Sequence, residues 1–171
     1  LEPYLTSGQS MTDYEYSIMA RVSTGIAVLD NCYSPETLKD IYRVGGMYGT
    51  LIERVDDIID GDHGFKQTED IERFLFNIIK TLECGDIAED AREDDEVAYM
   101  AAKELYRLMD TRQQQSFGSA MEDLAEVTLE EEIERSHEKH LESAEIMFEN
   151  AGLLLEYTTD YEFDTKSRDL W

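Results

Sequence analysis

Asp56, Asp57 and Asp60 are the residues of this chain best placed for chemistry, within the stretch Glu53-Arg54-Val55-Asp56-Asp57-Ile58-Ile59-Asp60-Gly61-Asp62. On a helix Asp56 and Asp60 stand one turn apart and Asp57 lies three before Asp60, so the three carboxylates point roughly the same way. Like charges that close repel one another unless a cation sits among them. A hard divalent cation such as Mg²⁺ takes carboxylate oxygens as ligands and keeps positions free for substrate phosphate. The spacing reads as a metal–diphosphate site, with Asp56, Asp57 and Asp60 as metal ligands and catalytic residues. Arg54 stands beside them, to meet diphosphate or to pair with the acids. Val55, Ile58 and Ile59 are expected to bury the other face of the same turns, which a merely solvated acidic run does not need.

The charge balance says which acids to discount. Forty Asp and Glu against 15 Lys and Arg leave a formal net charge of −25. A field of that sign repels nucleic acid and anionic membrane surfaces, so no nucleic-acid partner is expected. The acids spread along the whole chain, as suits a cytoplasm at multimolar salt, where screening removes the self-repulsion. A halophilic source is the expectation, and most carboxylates are then a solvated coat.

Cys32 and Cys84 are neither close nor numerous, which suggests buried reduced thiols in a cytoplasmic protein. No run approaches the ~18 apolar residues of a membrane span, and the N-terminus has no basic, then apolar, secretory pattern. Residues 1–11 read as a leader or disordered stretch. Residues 12–171 read as a single domain, with 42% apolar residues over the chain to build one core.

Helical periodicity must position the aspartates. Ile18, Val22, Ile26 and Leu29 mark a first helix over about 13–29. Ser34-Pro35-Glu36 supplies an N-cap, a proline at the first helical position and an acid in the first turn of the next. That helix carries Leu38, Ile41, Tyr42, Tyr48, Ile52 and Val55 into the aspartate cluster, with Gly45, Gly46 and Gly49 inside it. Each glycine costs about 1 kcal/mol against alanine, so close approach of a helix, a ligand or a homodimer partner is expected there. Thr68 opens a helix that ends at Gly85, and an acidic connector follows to Asp95. Val97 to Met109 form another, and Phe117, Met121, Leu124 and Val127 a further one. Thr128 with Glu131 reads as a capping box for a long final helix through about Tyr157. The fold class is all-α, a bundle of six or seven helices.

Residues Tyr48 to Gly61, with Arg54 two before the Asp pair, resemble the first aspartate-rich motif of class I isoprenoid synthases. They are most similar to the squalene/phytoene synthase branch, where an arginine precedes an Asp-rich turn closed by Gly or Glu. Phe117-Gly118-Ser119-Ala120-Met121-Glu122-Asp123-Leu124 is similar to that branch's helix with a Met…Asp-Leu pattern. Ala151-Gly152-Leu153-Leu154 matches the small-residue stretch of the acid-led helix that follows, so the resemblance covers about residues 12–157.

The resemblance implies an isoprenoid-synthase-like bundle around an apolar cavity. In it, Mg²⁺ on the aspartates holds a prenyl diphosphate, whose ionisation to an allylic carbocation drives prenyl transfer or condensation. Arg54, Tyr48 and Asp123 are the substrate-binding candidates. Tyr42, Met47, Tyr48, Phe74, Met121 and Phe148 would supply the cavity wall, though each serves as readily as ordinary core. The second aspartate-rich motif of the family does not appear before Trp171. Lys166 to Trp171 reads as the start of another helix, and a further C-terminal part is expected.

Two other readings stay open. One is a non-catalytic helical interaction protein of a halophile, with the aspartates as surface. The other is a di-iron or other metal-binding bundle, for which Glu134-x-x-His137 and His137-x-x-His140 place candidate ligands on one helical face. His137 also falls on the stripe of Ile133, Ala144 and Phe148, where an interior histidine is the commoner outcome.

Overall fold

A computed structural model describes residues 20–25, 27, 33–59, 68–89, 91, 95–134 and 136–161. Five helices have described bounds: α1 (Pro35–Ile59), α2 (Thr68–Cys84), α3 (Glu96–Leu108), α4 (Thr111–Glu134) and α5 (His137–Thr158). A sixth helical stretch, at 20–25 and 27, precedes them, and no strand occurs among the described residues. The all-α expectation holds. None of the described helices is long and apolar enough to cross a membrane. The proposed 1–11 leader, Cys32 and the Lys166–Trp171 segment lie outside the described residues.

Helix ends follow local chemistry. Ser34 caps α1, its hydroxyl accepting from the Thr37 amide at 3.1 Å, with Pro35 the first helical residue. α2 closes at Gly85, whose φ of +74° is the left-handed conformation that favours glycine. The Gly85 amide bonds the Thr81 carbonyl at 2.9 Å, and a Cβ there would run into the Tyr106 ring. α4 starts on a reciprocal cap. The Asp110 carboxylate accepts from the Arg112 and Gln113 amides, both at 2.9 Å, while the Asp110 amide donates to Gln113 Oε1 at 2.8 Å. Gln114 then donates to the Tyr106 and Met109 carbonyls, closing the end of α3.

The core is one cluster. Ile41, Val44, Tyr48, Leu51, Val55 and Ile58 line the inner face of α1 at helical spacing. They meet Phe74, Ile78 and Leu82 of α2, Tyr99 and Leu105 of α3, Phe117, Met121 and Leu124 of α4, and Leu154 and Leu155 of α5. Phe74 and Tyr99 pack edge to face, ring centres 5.8 Å apart. α4 packs most extensively on α5, α1 on α3, and α2 on α4 and α3. α3 and α4, joined through Met109 and Asp110, pack on other helices rather than along each other.

Five expectations need correction. Thr128 does not cap a helix: α4 runs through it to Glu134, and its hydroxyl donates to the Leu124 carbonyl one turn back. The cap of α5 is Ser136, which accepts from the Lys139 amide at 3.2 Å. That break also separates Glu134 from His137, so the two share no continuous helical face, and His137 is exposed in the first turn of α5 rather than interior. Cys84 is exposed rather than buried, its thiol donating to the Lys80 carbonyl. Val22 is exposed, whereas Ala20, Ser23 and Ala27 carry the buried face of the N-terminal helical stretch.

Candidate functional site

The last turns of α1 carry the aspartates. Val55 and Ile58 point into the core, 5% and 1% exposed, so the helix is anchored on that side. The 3.6-residue period then turns the residues between them outward: Asp56 is exposed and Asp57 half-buried. Arg54, its side chain 12% exposed, donates through Nη1 to Asp57 Oδ2 at 3.1 Å across a single turn. This contact is the pairing with the acids that the sequence offers as one of two roles for Arg54. Asp60, Asp62 and His63 lie outside the described residues.

Asp56 and Asp57 together offer hard oxygen donors, the right chemistry for Mg²⁺. Among the described residues, no group of three or more His, Cys, Asp or Glu is gathered closely enough to hold a metal ion. A complete ligand set on this turn needs Asp60.

Tyr48 is buried to 1% exposure two turns before the aspartates. Its ring packs on Phe117 at 6.2 Å between centres, and its hydroxyl donates to the Met147 carbonyl of α5 at 2.9 Å. Burial pushes the Tyr48 phenol far above its ordinary range, because the anion would have to form without water. Gly45, Gly46 and Gly49 are buried on the same helix. Of the proposed wall, Met47, Phe74 and Met121 also sit in the core, while Tyr42 and Phe148 are half-buried.

Asp123 is exposed on α4 and faces a different part of the molecule. It lines a cleft of about 390 Å³ between α4 and α5, together with Ala120, Ile146, Glu149, Asn150, Leu153 and Glu156. Arg54, Asp56 and Asp57 are not among that lining. Glu149, Asn150 and Glu156 carry no recognisable motif, and only their spacing (Glu149 and Glu156 two helical turns apart, with Leu153 between) signals a common face. His140, like His137, is exposed on α5.

No protein-family model, curated protein or solved structure matches this chain.

Proposed function

We propose that the chain is a Mg²⁺-dependent prenyl diphosphate-binding protein of the class I isoprenoid synthase type, a prenyltransferase where it turns substrate over. The observation that supports this reading most is the outward turn of Asp56 and Asp57 at the end of a helix locked into the core by Val55 and Ile58. A rigid helix is a better mount for ligands than a loop, because its carboxylates hold their spacing.

In this reading Asp56, Asp57 and Asp60 hold Mg²⁺, which would neutralise charge on the diphosphate. Arg54, already beside Asp57, is one hydrogen-bond exchange away from an incoming phosphate oxygen. Tyr48 stiffens the helix behind the site. The acidic coat belongs to a halophilic, cytoplasmic setting in the same reading.

Thermal unfolding in high salt tests the proposal, with Mg²⁺ and farnesyl or geranylgeranyl diphosphate added separately and together. A ligand that binds only the native state raises the midpoint. The expected result is a shift that needs both components and disappears in Asp56→Asn. A wild-type midpoint indifferent to the pair removes the assignment.

A further inference from the structure

Two contacts fix how α5 runs past α1. Tyr33, just before α1, packs on Tyr161, just after α5, with ring centres 5.5 Å apart. Further along, the Tyr48 hydroxyl bonds the Met147 carbonyl at 2.9 Å. The beginning of α1 therefore lies by the end of α5, and the two helices run antiparallel. Going on from Tyr48, Asp56 and Asp57 lie about 12–13 Å along α1. Going back from Met147, Lys139 lies about 12 Å along α5. The first turns of α5 thus stand at the aspartate end of α1.

Those turns have little core beneath them. Every buried residue of α5 falls from Asn150 onward, and the earliest α5 side chains packed on the core are the half-buried Ile146 and Met147. Residues 137–145 are held to α4 instead. Lys139 Nζ donates to Glu130 Oε2 of α4 at 2.6 Å and reaches Glu142 Oε2 of its own helix at 3.0 Å. Ser143 meets Thr128 hydroxyl to hydroxyl at 3.3 Å. The Glu130 bond above all, and then the Glu142 one, holds the Lys139 proton more tightly than in an ordinary lysine. From Gln113 to Tyr161 the only Lys and Arg are Arg135 and Lys139, amid acids on both helices. Without the Lys139 charge, the two carboxylates that share it repel one another across α4 and α5.

We propose that residues 137–145 form a strap at the aspartate end of α1, latched to α4 by Lys139, and that releasing the latch uncovers the last turns of α1. The Tyr48–Met147 bond, and beyond it the bond from the Asn150 amide to the Ala120 carbonyl, mark where the moving part stops. The latch is built from this chain's own side chains, so the strap is independent of the metal–diphosphate reading.

Hydrogen exchange of the full chain, resolved at single amides, tests it. Lys139→Met keeps the stem and removes the charge, while Glu130→Gln removes the α4 side of the latch. Both are expected to speed exchange at amides 141–145 by about threefold to tenfold, because exchange follows the local opening equilibrium. Amides 55–59 of α1 are expected to speed up with them, by about threefold or more. Amides 74–82 of α2 and 151–156 of α5 are expected to keep their wild-type rates. Glu145→Gln, an exposed acid of the same helix outside the latch, is expected to leave all four segments within about twofold. Faster exchange throughout would mean a loss of global stability and overturn the proposal. So would unchanged rates at 141–145. Faster exchange there with 55–59 unmoved would overturn it too, since Lys139 would then be a local staple that covers nothing.

Discussion

Tyr48 of α1 and Met147 of α5, 99 residues apart in the chain, are joined by a 2.9 Å hydrogen bond from phenol to backbone carbonyl. The same ring packs edge-on against Phe117 of α4. One side chain therefore ties together three helices, one of which carries the aspartates and two of which form the acidic cleft. Motion of α1 relative to α5 has to break a partly buried polar contact, which leaves the phenol of a buried ring without its partner.

Replacing Tyr48 with Phe keeps the ring and removes only the bond, so the expected loss is about 1 kcal/mol. Tyr48→Ala leaves a cavity and should cost about 3–5 kcal/mol. Urea titration reads both as midpoint shifts at constant slope. The pH dependence has a definite sign. In the unfolded chain the phenol ionises near its ordinary value of about 10, whereas in the fold it keeps its proton to higher pH. The native state then binds more protons above that point, so this contribution is whole below about pH 10 and is lost as pH rises further. Tyr48→Phe should flatten part of the alkaline decline, and identical alkaline slopes would contradict the burial argument.

The boundary between α4 and α5 can be tested by two short substitutions. Ser136→Ala removes the cap of α5 and should cost about 1 kcal/mol. Thr128→Ala falls inside α4, where alanine's better propensity offsets the lost bond to Leu124, so the expected change is within about 0.5 kcal/mol. The opposite ranking in chemical denaturation would put the helix start at Thr128.

That boundary also shows where the sequence was legible. Ser34-Pro35 and Gly85 announce a helix start and a helix end through residues whose backbone preferences are strong and local, and the structure uses both. Thr128-x-x-Glu131 has the same local form as a capping box, but apolar contacts of α4 on both sides carry the helix through it. Asp110-x-x-Gln113 is an equally good box that the chain does use, and only the tertiary setting separates the two. The apolar stripe of α1 was readable from periodicity, and with it the outward direction of Asp56. The Arg54–Asp57 pair follows from i, i+3 spacing. The α4–α5 cleft was not readable, because its charged residues come from two helices whose register is set by packing. Asp123 stood out in the sequence only through its motif, and Glu149 and Glu156 looked like coat.

The Arg54–Asp57 pair separates a structural role for Asp57 from a ligand role. Arg54 is nearly enclosed and Asp57 is 30% exposed, so the pair is partly screened by solvent. Asp57→Asn should cost about 1 kcal/mol or less without ligand. Asp56→Asn, on an exposed carboxylate, should change stability by no more than about 0.5 kcal/mol. With Mg²⁺ and prenyl diphosphate both variants are expected to lose the ligand-induced rise in unfolding midpoint. If Asp57→Asn keeps the full rise while Asp56→Asn loses it, Asp57 serves to hold Arg54 and the ligand set narrows to Asp56 and Asp60. Thermal unfolding of the two variants, with and without both components, gives the whole comparison.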